Sequence, residues 1–293
     1  LKPRIGFGER VFDGSNTVLM LALVVVTLYP FLYVLFASFS DPADLLQHRG
    51  LLLAPTGFSL ESYKLVFDNP MISIGYLNTI LYVIVGTALN LTLTSFAAYA
   101  LSRKGVRFVG PIMFAIVFTM FFSGGLIPTY LNMKQLGLLD TRWAMILPSA
   151  ISTWNLLVMR TSFASIPAAL EESARIDGAN DFRILLRIFI PVSLPIMAVM
   201  TLFYGVGHWN AYMDALIYLR DRNLYPLQLV LQEILITNST DSMMSSVADV
   251  DKGLLQETIK YATIIVATVP VLLLYPFLQR YFVKGVMLGS IKE

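Results

Sequence analysis

The sequence predicts an all-α polytopic membrane protein with six transmembrane helices, and three observations carry that prediction. The 293 residues are 56% hydrophobic and only 14% charged, against about 25% charged in soluble domains. Mean hydropathy is +0.69. Six long intervals, 14–40, 69–102, 108–133, 143–159, 188–213 and 261–279, contain no Asp, Glu, Lys or Arg. Each can house a helix of about 20 apolar residues, the length a bilayer requires, and ionised side chains are costly in hydrocarbon. Runs such as 18–26 lack the apolar/polar alternation of a membrane barrel.

Taken in order, the expected helices are 17–39, 76–101, 109–132, 143–163, 191–216 and 259–281, making a transmembrane domain over 17–282. The first is too long for the apolar core of a signal peptide, and no small-x-small cleavage site follows it. The fourth is short, but Arg160 at its end can snorkel to the interface. Basic residues set the orientation. With residues 1–16 inside, 13 Lys and Arg fall on the cytoplasmic side, including Arg103, Arg107, Arg160 and Arg175, against 8 outside. Both termini, including the tail 283–293, are therefore expected in the cytoplasm. Residues 41–70 and 217–257 become external, the latter a long loop without evident helical periodicity.

The same composition excludes several functions. The net charge is +2 with no basic block, which argues against nucleic acid as a partner. With no cysteine, the chain offers neither a disulfide framework nor a thiolate nucleophile. No His-Glu-x-x-His or Gly-x-Ser-x-Gly motif supports an intramembrane hydrolase, and no Gly-x-x-x-x-Gly-Lys-Ser/Thr loop is present to cradle phosphates.

Within the inner segment 162–195, Ser165 is expected to cap a short helix with Pro167 in its first turn. Ile166, Ala169, Leu170, Ser173 and Ala174 share one face, while Glu171 and Arg175 make a favourable i,i+4 pair away from it. Gly178 supplies the C′ position after Asp177. This amphipathic helix either rests on the membrane interface or docks a soluble partner. Residue physics alone leaves both open.

Glu172-Ser173-Ala174, Gly178 and Ile188-Phe189-Ile190-Pro191 resemble the EAA loop of permease subunits in bacterial ATP-binding-cassette (ABC) importers. That pattern reads Glu-Ala-Ala, three residues, Gly, nine residues, Ile-x-Leu-Pro. The spacing here is the same, with Ser173 in place of Ala and Ile190 in place of Leu. Leu126-Ile127-Pro128, Trp209-Asn210 and the ending Lys284-Gly285-Val286 are similar to the MalG-type permeases of carbohydrate importers. Residues 122–130 resemble a branch that handles polymer-derived sugars, alginate-importer permeases included.

The resemblance implies the ABC importer permease fold with a cytoplasmic EAA coupling helix, and a location in the bacterial inner membrane. It implies oligosaccharide as substrate, and as partners a second, different permease subunit, two ATPase subunits and an external solute-binding protein. ATP and Mg would sit on the ATPase, with no cofactor in this chain. Leu170, Glu171, Glu172, Ala174, Asp177 and Gly178 would then form the ATPase-coupling element, and loop 217–257 would meet the binding protein.

His208, Trp209, Asn210, Tyr212 and Asp214 cluster in the outer half of the fifth expected helix. Hydrogen-bonding groups beside aromatic faces suit a sugar path. The alternative is that Asn210 and Asp214 cap helix ends while Trp209 packs. Two other functions stay open: an importer permease for a non-sugar solute, since the EAA loop is shared among importers, and an ion-coupled secondary transporter.

Overall fold

A computed structural model describes residues 7–103, 105–236 and 249–287, and among these it holds helices and no strand. The chain divides into two compact units, residues 1–69 with 233–268 and residues 70–232 with 269–293.

In the first unit, α1 (Phe7–Ser38) is exposed along 8–28. Packing begins at its end, where Ala37 and Ser38 are fully buried and Ser38 Oγ shares a 2.8 Å hydrogen bond with Tyr63 Oη. α2 (Pro42–Gln47) opens on Asp41, whose carboxylate accepts the Ala43 N–H at 2.9 Å, with Pro42 in the first turn where its missing N–H is harmless. α3 (Glu61–Asp68) follows. Ser62 donates to Thr258 Oγ1 at 2.8 Å, and Tyr33 meets Tyr261 edge-on.

The second unit starts with α4 (Pro70–Leu81), a π turn over Tyr82–Gly86 and α5 (Thr87–Ser102), together one helix of 33 residues. α6 (Val109–Phe121) and α7 (Leu126–Gln135) stand where one helix over 109–132 was expected, bent by 114°. The break has a plain cause: Gly125 takes φ +82°, a backbone conformation that only glycine adopts readily. The helix expected over 143–163 is also shortened. A 3-10 turn covers Arg142–Met145 and α8 runs only from Thr153 to Ala164, capped by Ser152. Pro148 lacks an N–H and disfavours helix at its predecessor, so apolar composition there does not make a continuous helix.

After α8 come α9 (Ala168–Ile176), α10 (Asp181–Ile184), a π turn over Leu185–Phe189, α11 (Ile190–Val192), α12 (Leu194–Trp209) and α13 (Met213–Tyr218). The chain bends by 87° between Val192 and Leu194, beside Pro191 and Pro195, and breaks again at 210–212, so 191–216 is not one helix. The expected loop 217–257 contains α14 (Leu227–Ile236), whose Leu227, Leu229, Val230 and Ile234 are buried, and the start of α15 (Asp249–Met287). Residues 237–248 of that loop lie outside the described residues.

Among the described residues, Gly8–Ser38 and Pro70–Ser102 are each long and apolar enough to cross a membrane. Two bent pairs, α6 with α7 and Asp181–Val192 with α12, reach that length and composition jointly. The second unit's core lies where Ala98, Leu156, Met159, Phe163, Ile184, Leu185 and Met200 meet. In lipid, such contacts hold by close van der Waals fit, since acyl chains are as apolar as leucine.

Candidate functional site

Two polar constellations stand out in the second unit. The first surrounds α9. Ser165 does not cap this helix: its N–H bonds the Thr161 and Ser162 carbonyls at 3.2 Å and closes α8. Pro167 is the residue before α9, in extended conformation with ψ 131°. A residue preceding proline is pushed out of the helical region, so Ile166 stays outside and the helix is shorter than the expected 166–177.

At the other end, Gly178 N–H bonds the Arg175 carbonyl at 3.0 Å and Ala179 N–H bonds that of Ala174 at 2.9 Å. That pair of bonds, with Gly178 at φ +79°, is a Schellman stop. Ala174 and Ile166 pack against the core. Leu170, Glu172, Ile176 and Asp177 remain exposed, Ile176 at 86%. The outward surface of α9 thus combines two acids with bare apolar side chains.

Behind it runs an ion network that spans four elements. Arg175 Nε donates to Glu171 Oε1 at 3.0 Å, and its Nη2 to Asp181 Oδ1 at 2.5 Å. Tyr99 Oη also donates to Asp181, at 3.2 Å. Glu171 is ion-paired on its other oxygen with Arg103, just past the end of α5, and the two side chains are only 17% and 12% exposed. The Arg103 guanidinium lies 4.9 Å from the Tyr99 ring centre and 5.1 Å from that of Phe189. Burial pushes its pKa below the ordinary arginine value, as expected for a cation drawn out of water.

The second constellation lies where α12 ends. His208 is buried, and its Nε2 is 2.7 Å from Asn90 Oδ1. Asn90 spends its amide protons on the carbonyls of Ser149 (2.7 Å) and Ala150 (2.9 Å). Its oxygen can therefore only accept, which places the proton on His208 Nε2. The Tyr204 hydroxyl accepts the Ser152 N–H at 3.1 Å and pairs with Thr94 Oγ1 at 2.7 Å.

Of these groups, Ser149, Ser152, Tyr204 and His208 border a cavity of about 260 Å³ that Asn155 and Asp214 also line, with Phe203 and Met145 as apolar walls. Of the five cluster residues named from sequence, His208 and Asp214 reach it. Trp209 instead packs edge-on to Tyr76, Asn210 is the C-cap of α12, and Tyr212 is exposed just before α13. Sequence reasoning missed Tyr204, although its i,i+4 spacing to His208 places both on one helix face. It missed Arg103 and Asp181 too, because nothing local links them to Glu171.

Comparison with known proteins gives a consistent result. A family described as "Binding-protein-dependent transport system inner membrane component" matches residues 91–288. The chain is 43% identical over 286 residues to the polygalacturonan/rhamnogalacturonan transport system permease protein YtcP of Bacillus subtilis, covering 97% of this chain and 99% of that one. It is 41% identical to protein LplC of the same organism, covering 97% and 95%. Among solved structures, a bacterial ABC transporter involved in the import of the acidic polysaccharide alginate superposes with a TM-score of 0.88. Identity there is 34%, covering 96% of this chain and all of that one.

Proposed function

Because the chain belongs to the family of inner-membrane components of binding-protein-dependent transport systems, we propose that it forms half of the translocation path of an ATP-driven importer of oligosaccharides. The observation that carries the substrate class is the near full-length similarity to a permease named for polygalacturonan and rhamnogalacturonan transport, and to a chain of an ABC transporter involved in the import of the acidic polysaccharide alginate. The other half would come from a second permease, the energy from two ATPase subunits that bind ATP and Mg, and the cargo from an external binding protein. Six crossings with both termini cytoplasmic remain the reading of the span pattern, supported by the 13-to-8 bias of basic residues. In this arrangement the exposed Glu172 and its apolar neighbours on α9 dock the ATPase, with Leu170, Ala174, Asp177 and Gly178 shaping the element. Loop 217–257 faces the binding protein, and the cavity beside His208 and Asp214 belongs to the path.

One observation favours a second reading of the cargo. Among the described residues the cavity holds the carboxylate of Asp214 and no Lys or Arg, a lining better matched to the hydroxyls of a neutral sugar than to a uronate. Uptake of labelled oligogalacturonate and of a neutral oligosaccharide, measured in wild type and Asp214→Asn, separates the two. If acidic cargo passes the cavity, removing the charge raises its uptake. If Asp214 accepts sugar hydroxyls, neutral uptake falls. Indifference of both to the substitution removes the cavity from the path.

A further inference from the structure

Glu171 is not where a docking residue should be. The reading of α9 as the ATPase-docking helix uses its exposed side, whereas Glu171 turns the other way, into the protein. There it meets Arg103, which lies at the cytoplasmic end of α5 in the proposed topology and is 68 positions away in sequence. Both partners are largely shielded from water, so the pair is screened far less than an exposed one. Arg103 is further held over two aromatic faces, and Arg175 and Tyr99 tie the same assembly to Asp181. The network joins α5, α9, α10 and the π turn that contains Phe189.

Higher on the same α5 is Asn90, whose side chain holds both His208 and the Ser149–Ala150 carbonyls at the cavity wall. Below Asn90, Ala98 and Tyr99 are packed into the core that also contains Leu156 and Phe163. A rigid helix, anchored at one end by an ion pair to α9 and at the other by an amide to the cavity, is a physical connection between them.

We infer that Arg103 is a positioning residue for transport: through its ion pair with Glu171 it fixes the coupling helix to α5, so that displacement of α9 by the ATPase moves Asn90, and through it the cavity-lining His208. This rests on the docking role of α9. A coupling that travels through α5 requires the Arg103–Glu171 pair to stay closed through the cycle, and docking itself requires only the outer face of α9. The two can therefore be separated.

The test uses the reconstituted complex with its ATPase, partner permease and binding protein. Arg103→Gln is expected to retain the ATPase subunits, because Glu172 and Ile176 are untouched, while uptake per ATP hydrolysed falls about fivefold or more, the range of typical coupling energies. Arg103→Lys, which restores the charge but not the planar fork or the stacking, should recover part of the loss. If Arg103→Gln fails to insert, Glu171→Gln keeps the side-chain shape and is read the same way.

Since the chain has no cysteine, an Arg103→Cys/Glu171→Cys pair can be joined by a short thiol-reactive bridge. The bridged protein should regain coupled uptake relative to the unbridged pair. A wild-type coupling ratio in Arg103→Gln overturns the inference, as does loss of uptake on bridging, which would show that α9 must move against α5. Glu172→Lys in parallel tells the two levels apart. If it strips the ATPase while Arg103→Gln behaves as wild type, docking stands and transmission through α5 fails. If neither substitution has an effect, the docking role itself is wrong.

Discussion

Around α9 the polar groups are ions, whereas those hydrogen-bonded around His208 are neutral dipoles, with the Asp214 carboxylate beside them on the cavity wall. Glu171 is shared between Arg103 and Arg175, and Arg175 reaches on to Asp181. Farther along α5 and at the end of α12, the partners are an amide, an imidazole, a phenol and backbone carbonyls. The difference follows from the surroundings each region has in the proposed topology. At the cytoplasmic edge a shielded charge such as Arg103 is paired within the protein, while exposed ones such as Glu172 keep access to water and can be taken up by a partner. Deep in the bilayer an unpaired charge is costly, so neutral groups that satisfy one another are used. The exposed acids Glu172 and Asp177 are therefore suited to exchange contacts with another subunit, while the shielded Arg103–Glu171 pair and the neutral groups hold a fixed shape.

The sharpest way to break that contrast is Glu172→Lys. Reversing an exposed charge should leave the chain inserted, because nothing inside the protein depends on it. At a subunit interface the same change typically removes about 2–5 kcal/mol, so uptake by the complex should fall by more than tenfold and the ATPase should be lost on purification. Full uptake with normal ATPase co-purification would mean that α9 only rests on the membrane surface.

Gly86→Ala probes the neutral region and should have the next largest effect. Gly86 ends the π turn, and a Cβ there would overlap the His208 ring at three atoms. Its backbone is ordinary helix, φ −62°, so the penalty is wholly steric. Overpacking of this kind costs about 1–3 kcal/mol, and it would push the imidazole off Asn90. A lowered midpoint of thermal aggregation in detergent, together with weaker assembly, is the expected result. Unchanged stability would show that the ring can move aside without cost and that this region is not rigid.

How much of this was visible in the residues alone depends on how far each interaction reaches along the chain. The Glu171–Arg175 pair and the Gly178 stop follow from spacing within three turns, and the structure has both. The importer-permease resemblance is carried by residues 172–191, again a local pattern, and its carbohydrate branch by short motifs such as 126–128, 209–210 and 284–286. Charge-free length was a weaker guide. It marks where apolar chain lies, but not where Pro148 or Gly125 interrupts a helix, so 143–163 and 109–132 came out broken. Of the face expected for α9, Ala174 packs inward, as does Ile166 just ahead of the helix, but Ala169, Leu170 and Ser173 stay exposed and Glu171 turns in instead. Arg103 was counted only as an inside charge, because an ion pair between residues 103 and 171 has no local trace. His208 and Trp209 looked alike as polar aromatics next to one another, and only packing gives the first a partner and a cavity.

The same chemical change made in the ionic region should do least, and for a different reason. Gly178 stops α9 at φ +79°, yet nothing lies within 4 Å of where a Cβ would be placed. Gly178→Ala therefore meets no neighbour, in contrast to Gly86→Ala. What it meets is the left-handed backbone, which disfavours an L side chain by about 1–2 kcal/mol. The chain can relieve that strain by fraying the last turn of α9, since the Ala179 and Gly178 N–H bonds to Ala174 and Arg175 are local. Loss of the stop would loosen Arg175, and with it the link to Asp181, while leaving the core packing of Ala174 largely in place. The thermal midpoint should thus shift less than in Gly86→Ala, while uptake falls by a few-fold as the docking helix loses its defined end. Gly178→Asn is the control, because asparagine tolerates the left-handed region better than alanine. Its uptake should lie between those of the alanine variant and wild type. Equal loss in both variants would mean that open space at this position, and not backbone conformation, is what the partner requires.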